Sequence, residues 1–359
     1  MRLPIPTGRR PWCALVLALL MCGAGWAQQE PPPPKPAIKA PLADESLLLD
    51  VIEHQDGFVA VGSRGHVLLS ENGRDWRQAQ SVPVQATLTR VTSYGRRLWA
   101  VGHDAVVLSS SDGGENWFIQ HRNPEAQEPL LDVLFINPNE GFAIGAYGRF
   151  MTTGDGGINW TSHRLTDRVT SEAIDWAALA RQQGGLETIP EEFQDGADAD
   201  PEARVNKGCY EFGECHLNAI LQTGADELMI AAEAGYGFRS VDEGETWEAF
   251  RFPYPGSMFG LVGQSECVLA FGLRGHIQKS CDFGSSWDEV PIDSEQTLMG
   301  GDVRPGGTAI LVGAAATRVT LTPGGRMDVK ADQLGSDYAA VVVTDGGLLL
   351  VGENGVRYE

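Results

Sequence analysis

The sequence has 359 residues, with 27 basic and 48 acidic side chains and a formal net charge of −21 at pH 7. Such an acidic surface repels phosphate backbones and anionic headgroups, which argues against nucleic-acid binding and against adhesion to anionic membranes. The apolar content, 42% of residues, suffices for a large core, and beyond the N-terminal leader no apolar run is long enough to span a membrane.

The N-terminus has the features of a secretory signal. Three arginines precede the apolar run CALVLALLMCGAG, and small residues lead up to Ala27. We therefore predict a signal peptide over residues 1–27 and an exported, periplasmic protein. Lipid anchoring at Cys22 is disfavoured, because Met21 stands where a small residue is expected.

A proline-rich stretch, QEPPPPKPAIKAP, follows the leader. It is typical of an extended polyproline spacer, and a disordered mature N-terminus is the alternative interpretation. We assign residues 28–45 to this linker and to a strand that closes the fold described next.

Beyond residue 46 the sequence repeats with a period near 40. Five segments end in tryptophan, and their sequences are SENGRDW, SSDGGENW, TGDGGINW, SVDEGETW and SCDFGSSW. A second marker of the type VAVG precedes each of them and recurs twice more near the C-terminus. This period, with short β-rich units, predicts an all-β, seven-bladed β-propeller over residues 46–359, with six blades as the alternative count.

The tryptophan-ending segments have the form of Asp-box turns between the third and fourth strands of a blade. In such a turn the aspartate accepts backbone N–H groups, the glycine adopts positive φ and the tryptophan packs on the blade. A role repeated in successive blades is structural and not catalytic. The residues assigned to it are Asp112, Trp117, Asp155, Trp160, Asp242, Trp247, Asp282 and Trp287.

Blade seven contains only three predicted strands, AAVVV, LLLVG and VRYE. The missing outer strand is expected from the residues just before blade one, around AIKAPLADES, which would close the ring. Pro41 is tolerable there, because an outer strand has one unpaired edge.

One insertion, residues 162–214, separates blades three and four. The segment SEAIDWAALARQQGG is predicted to be helical, and an acidic stretch follows it. A solvated acidic loop is the favoured interpretation and a calcium site the alternative, although the spacing matches no EF-hand. We expect no metal and no cofactor.

Four cysteines remain after removal of the leader, and an even number in an exported chain favours disulfides. Cys267 and Cys281 flank a predicted hairpin symmetrically, so they should lie opposite each other and bridge. Cys209 and Cys215 would close a small loop in the insertion, with a zinc site that includes His216 as the alternative.

The turns between second and third strands should all lie at one mouth of the propeller, together with the insertion. They carry basic and aromatic residues on an otherwise acidic protein, which favours a recognition surface. Surface turns are also polar for no functional reason, and the repeated RGH turns suggest that part of the pattern is structural. The predicted partner-binding residues are Arg64, His66, His103, Asp104, Tyr147, Arg149, Tyr236, Arg274, His276 and Glu353.

A sialidase-like glycosidase, or a carbohydrate-binding propeller, is the alternative function. A sialidase requires an arginine cluster, a Tyr-Glu nucleophile pair and an acidic aspartate. The nearest match to its Phe-Arg-Ile-Pro segment is FRFP, which places Arg251 on an outer strand, and no acid–base carboxylate pair stands out. The sequence therefore favours a protein without catalytic activity and without a small-molecule substrate.

The segments VGSRGHVLLS, IGAYGRFMTTGDGGINW and FGLRGHIQKSCDFGSSW resemble the repeat of the Ycf48/Hcf136-like photosystem II assembly-factor family. The resemblance implies an exported, non-catalytic seven-bladed propeller that binds protein. In the family a basic residue precedes the box serine or threonine. Here only two of the five corresponding positions are basic, and they are Arg239 and Lys279.

The resemblance also implies a class of partner. Photosynthetic members assist photosystem II assembly, and relatives in other bacteria are often encoded beside RND/MMPL-type exporters. We therefore expect a monomeric assembly or accessory factor for an integral membrane protein complex, with an RND-type transporter as the preferred partner class.

Overall fold

The computed structural model describes residues 33–55, 57–170, 215–264 and 266–359, which form seven antiparallel sheets. Six sheets contain four strands and the seventh contains three, and strands consecutive in the chain are neighbours in each sheet. Each sheet is therefore one blade, and the predicted all-β, seven-bladed propeller is confirmed. The predicted helix of the insertion lies outside the described residues.

Blades one to three consist of strands β1 to β12, with bounds Leu48–His54, Gly57–Gly62, Val67–Ser70, Arg77–Gln78, Leu88–Tyr94, Arg97–Gly102, Val106–Ser110, Phe118–His121, Leu130–Phe135, Gly141–Gly145, Arg149–Thr153 and Thr161–Arg164. Blades four to six consist of β13 to β24, with bounds Leu217–Gln222, Leu228–Ala232, Tyr236–Ser240, Glu248–Arg251, Met258–Gln264, Cys267–Gly272, Ile277–Ser280, Asp288–Glu289, Leu298–Val303, Ala309–Gly313, Arg318–Leu321 and Met327–Lys330. Blade seven consists of β25 to β27, with bounds Tyr338–Thr344, Gly347–Gly352 and Gly355–Tyr358. Short 3-10 helices span Ala43–Glu45, Ser63–Gly65, His103–Ala105, Ala146–Gly148, Leu165–Arg168 and Leu273–Gly275.

The core lies between neighbouring blades. Val61 and Leu69 of blade one, for example, pack in one cluster with Leu98 and Leu108 of blade two. Because a second strand is covered on both faces, its central residues are a continuous apolar run, and all five residues of β10 are buried. This double burial explains why the VAVG-type marker is a continuous apolar run and not an alternating one.

The Ser/Thr-x-Asp-x-Gly-x-x-Trp turns have the geometry expected from their sequence. Asp112 Oδ1 accepts the N–H of Asn116 at 3.0 Å, and Gly114 has φ +88°. The buried Trp117 ring donates its Nε1–H to the carbonyl of Gly114 at 2.8 Å. The aspartate bond recurs at Asp155, Asp242 and Asp282, so these turns hold the blades together.

The tryptophans of these turns do not all have the same hydrogen bond. Trp247 donates to its turn glycine as Trp117 does, but Nε1 of Trp160 and of Trp287 has no acceptor in the described part of the chain. Trp160 packs edge-on against Phe135, and Trp287 stacks against Phe250. All four indole rings pack against apolar side chains, whereas only two of them donate a hydrogen bond to the turn glycine.

The expected closing strand of blade seven is not formed, which corrects the sequence prediction. Residues 33–42 contain no strand, and they lie along blade one instead. The N–H of Ala37 donates to the carbonyl of Val82 at 2.9 Å, and the N–H of Ala40 donates to Gln78 Oε1 at 2.7 Å. The ring closes because β1 packs against β25 and β26 of blade seven.

The boundary of the insertion is also corrected, because it cannot begin at residue 162. Strand β12 runs to Arg164, and Leu165 is buried in the core between blades three and four. The N–H of Thr170 then donates to the carbonyl of Trp247 at 3.0 Å. Blade packing thus extends through residue 170, and the chain re-enters the described part at Cys215.

Candidate partner-binding face

The turns between second and third strands share one backbone conformation. In each of blades one to six a non-glycine residue has φ between 51° and 62°, and these residues are Arg64, Asp104, Tyr147, Ala234, Arg274 and Ala315. Left-handed conformation costs a side-chain-bearing residue about 1–2 kcal/mol. Alanine occupies two of the six positions, so the left-handed conformation does not depend on a particular side chain. The fold of the blade imposes it, and the side chain at this position can vary.

These turns lie beside the links between blades. Gly65 lies against the carbonyl of Val84, and Gly275 lies against that of Ser294. Turns and links therefore occupy the same end of the propeller, as predicted. We call this end the mouth and define it by residues 63–65, 103–105, 146–148, 233–235, 273–275, 314–316 and 353–354, together with Glu128, Arg149 and Arg164 beside the blade-three turn.

Eight of the ten predicted partner-binding residues reach solvent. Arg64, His103, Arg274 and Glu353 are exposed, and Tyr147 is 47% exposed. Asp104, Arg149 and His276 are half-buried. Solvent access makes these residues available for recognition, and their role in it stays a prediction.

His66 and Tyr236 do not reach the surface, which removes them from the predicted face. His66 Nδ1 lies 2.9 Å from Ser46 Oγ, and burial together with the nearby Arg64 guanidinium lowers the pKa of this histidine. Tyr236 is fully buried, with the Arg251 guanidinium 4.0 Å from its ring centroid. Both residues stabilise the blades.

A doubly basic cluster lies at the mouth of blade three. The Glu128 carboxylate is ion-paired with Arg149 and, at 2.7 Å, with Arg164. Burial acts to raise the pKa of Glu128, but hydrogen bonds from Arg164 and Arg149 outweigh it and hold that pKa below its ordinary value. Two guanidinium groups thus share one carboxylate, and the cluster carries surplus positive charge on an acidic protein.

Tyr147 extends this cluster toward blade four. Arg164 donates to the Tyr147 carbonyl, and the phenol ring makes an edge-to-face contact with His216 at 4.9 Å between centroids. His216 Nδ1 lies 3.2 Å from a carboxylate oxygen of Glu233. An exposed tyrosine beside two arginines combines the residue types that dominate binding energy in protein interfaces.

The turn of blade five offers a second exposed group. Arg274 is exposed at the tip, and Leu273 beside it is 37% exposed. The His276 ring stacks on Tyr254 at 3.6 Å between centroids, and its Nδ1 lies 2.8 Å from Glu289 Oε1. His276 is therefore held by its neighbours, and Arg274 is the freer side chain of the pair.

The central channel contains a charged cluster that the sequence analysis did not identify. Arg90 Nη1 lies 3.4 Å from Asp50 Oδ1, and Arg90 Nε lies 3.2 Å from Asp132 Oδ1. Burial raises the pKa of Asp50 to about 6, although the Arg90 charge opposes this shift. Burial likewise raises the pKa of Asp132. The channel, about 610 Å³ in volume, is lined by the inner strands that carry these residues.

The channel carboxylates join adjacent blades. Asp50 Oδ2 accepts the N–H of Val91 at 2.9 Å, and Asp132 Oδ2 accepts the N–H of Ile220 at 2.9 Å. Asp302 makes the same bond to Val343 of blade seven at 2.8 Å. In each case a side chain of one inner strand satisfies a backbone donor of the next, so these aspartates have structural partners.

The channel does not match the requirements of a sialidase. Among its described lining residues there is one arginine, Arg90, and no tyrosine. Arg251, the arginine of the FRFP segment, lies on the outer strand β16, as predicted. The arginine cluster with a Tyr-Glu pair that would support a glycosidase is therefore not formed by these residues.

Cys267 and Cys281 form the predicted disulfide across the β18–β19 hairpin, with their Cα atoms 4.1 Å apart. Cys215 is also disulfide-bonded, so its sulfur is not a free zinc ligand. Its predicted partner, Cys209, lies outside the described residues. Within the described ranges no three His, Cys, Asp or Glu side chains are grouped as a metal site, and no helix there could cross a membrane.

The fold and the mouth together define a seven-bladed β-propeller that presents exposed Arg64, Arg274 and Tyr147 at one end. No family model matches the sequence. A 51-residue segment is 41% identical to the photosystem II assembly lipoprotein Ycf48 of Picosynechococcus, and it covers 14% of this chain and 15% of that protein.

Solved structures extend the similarity over the whole propeller. YCF48 from Cyanidioschyzon merolae superposes with a TM-score of 0.60 at 16% identity, covering 89% of this chain and 97% of that one. YCF48 bound to a D1 peptide gives the same TM-score and identity over 92% and 96%. Streptogramin B lyase gives a TM-score of 0.65 at 10% identity over 89% and 94%. The chain therefore has the β-propeller fold of these proteins and resembles Ycf48 in one short segment. Because a lyase shares the fold, the fold alone does not define its function.

Proposed function

We propose that the protein is a non-catalytic accessory or assembly factor that binds an integral membrane protein complex through its mouth. The observation that carries the proposal is the cluster of Tyr147, Arg149 and Arg164, in which exposed aromatic surface adjoins surplus positive charge. The similarity to Ycf48, whose name describes photosystem II assembly and one structure of which is bound to a D1 peptide, supports this kind of role.

The location and partner class belong to the same proposal. The N-terminal leader supports export to the periplasm, and the resemblance to bacterial relatives supports an RND-type transporter as partner. The alternative, a carbohydrate-binding or glycosidase propeller, would need a sugar pocket, and the channel carboxylates described above already bond to neighbouring strands.

The proposal is tested by affinity purification of the tagged protein from native membranes, comparing the wild type with Tyr147→Ala and Arg164→Glu. Arg164→Glu reverses the charge beside Glu128 and should weaken recovery of the membrane complex most strongly. Arg77→Glu is the matched control, because Arg77 is an exposed outer-strand arginine of blade one that is also paired with one carboxylate, that of Glu115.

The outcomes separate the candidate functions. Recovery of an integral membrane complex by the wild type and by Arg77→Glu, but not by the two mouth variants, supports the proposal. Equal recovery by all four proteins places the contact elsewhere. If no membrane protein is recovered and a glycan array binds the wild type, the carbohydrate alternative replaces the proposal.

A further inference from the structure

Among the described residues, blade seven has an open edge where the other six blades carry a fourth strand. The strand at this edge is β27, and no described strand pairs with its outer side. Glu359 and Leu348 exchange both backbone hydrogen bonds, at 2.8 and 2.9 Å. Because antiparallel pairs alternate, the N–H and C=O groups of Val356 and Tyr358 point away from β26, toward the open edge. Within the described part of the chain β27 pairs with β26 alone, so no strand there receives these outward groups.

The N-terminal segment does not fill this position. In blade one the outer strand ends ten residues before the next inner strand begins, so the same spacing would place the missing strand near residue 38. That part of the chain is instead bonded to blade one, through Ala37 and Ala40. Its chemistry is also unsuitable, because residues 33–43 contain two lysines and three prolines beyond Pro33 but no acidic residue.

The side chains around the open edge are basic. Arg318 and Arg357 both pair with the side-chain carboxylate of Glu359, at 2.6 and 2.9 Å. Arg74, from the box turn of blade one, lies with its guanidinium carbon 4.4 Å from the Tyr358 ring centroid. It is exposed and has no ion-pair partner among the described residues.

The other blades show what Arg74 is positioned to contact. The residue after the box glycine reaches the preceding blade, and in blade two it is Glu115, which pairs with Arg77 on the outer strand of blade one at 3.0 Å. In blade four it is Glu245, which lies 3.6 Å from Arg168. Arg74 is the equivalent residue with its charge reversed, and it faces the position where the described residues provide no outer strand.

We propose that the open edge of blade seven binds an extended acidic segment of a partner protein as the missing fourth strand. Backbone groups of Val356 and Tyr358 would hydrogen-bond to the segment, as in other cases of strand addition to a sheet edge. One acidic side chain would pair with Arg74 on the blade-one side and another with Arg357 on the opposite side. This site lies on the side of the propeller and is independent of the mouth.

The probe is a labelled, end-blocked peptide of sequence Thr-Val-Glu-Glu-Val-Thr, in which the two adjacent glutamates face opposite sides of an extended strand. Fluorescence anisotropy should show binding to the full protein and none for the Thr-Val-Lys-Lys-Val-Thr peptide. Arg74→Glu should weaken binding of the glutamate peptide by about tenfold, because an attraction becomes a repulsion. The matched control Arg77→Glu, on a complete blade, should bind as the wild type does.

Backbone pairing is tested separately by Val356→Pro. This change removes an outward N–H and leaves the hydrogen bonds to β26 in place, so the propeller should fold and peptide binding should be lost. No binding at about 1 mM peptide would overturn the proposal. So would equal losses in Arg74→Glu and Arg77→Glu, or slow hydrogen exchange at Val356 and Tyr358 in the free protein, which would show that the chain already fills its own edge.

Discussion

Replacing Arg90 with methionine tests the role of the channel cluster. The change keeps most of the side-chain volume but leaves Asp50 and Asp132 buried without their shared countercharge. Removing one partner of a buried ion pair typically costs about 3–5 kcal/mol. We expect a loss of that size in the free energy of unfolding at neutral pH, measured by urea unfolding with tryptophan fluorescence.

The loss should depend on pH, because the two carboxylates can be protonated. Burial already raises the pKa of Asp50 to about 6 in the wild type, so the folded state binds protons more tightly than the unfolded state does. The contribution of Asp50 to the free energy of unfolding is therefore largest at acidic pH, and it declines as the pH rises from about 4 through about 6. Without Arg90 both pKa values rise further, and the cost of the substitution should be smaller at about pH 5 than at about pH 7.5.

The control is Arg77→Met, which removes an exposed ion pair with Glu115. Exposed pairs contribute about 0–1 kcal/mol, so this variant should stay close to the wild type at both pH values. If Arg90→Met costs no more than Arg77→Met, or costs the same at both pH values, Arg90 does not hold the channel carboxylates in the way that we describe.

Three further predictions concern the insertion, the disulfide and the leader. Deleting residues 171–214 should leave a folded propeller with a cooperative unfolding transition. A deletion that begins at residue 162 also removes most of the outer strand β12 and should destabilise the propeller. Equal stability of the two variants would contradict the insertion boundary that the structure gives. Cys281→Ser should lower the free energy of unfolding by about 3 kcal/mol, as for closing a loop of about 15 residues, and an unchanged urea midpoint would contradict this. Intact-mass analysis of the mature protein should give a chain starting at Gln28, and a mass corresponding to lipidated Cys22 would show an anchored protein instead.

The repeat pattern predicted the blades because each blade needs the same residue types at the same positions for its own local geometry. A box turn needs its aspartate, glycine and tryptophan at fixed spacing, and a second strand needs a continuous apolar run. Both signals can be read without knowing the neighbouring blades. The Cys267–Cys281 pair followed from the same hairpin register and is confirmed.

The features that were missed depend on contacts between distant segments. The closing strand was expected from ring symmetry, but residues 36–40 bond to blade one. The mouth prediction included His66 and Tyr236, because sequence position gives the turn but not the direction of a side chain that packs inward. The insertion boundary was placed too early because no marker indicates that Leu165 is buried.

The channel cluster did leave a signal in the sequence. Asp50, Arg90 and Asp132 each lie two residues after the leucine that begins an inner strand, and a valine follows each of them. Equivalent positions in consecutive repeats that carry opposite charges indicate a buried ion pair. A comparison of the repeats position by position would have identified it.

The most direct test of the account is site-specific photo-crosslinking in native membranes. A photoreactive phenylalanine analogue replaces Tyr147 at the mouth in one protein and Tyr94, the last residue of β5, in the other. These tyrosines are 47% and 40% exposed. We predict that the probe at position 147 crosslinks to an integral membrane protein and that the probe at position 94 does not. Crosslinks of equal strength at both positions, or at neither, would contradict binding through the mouth.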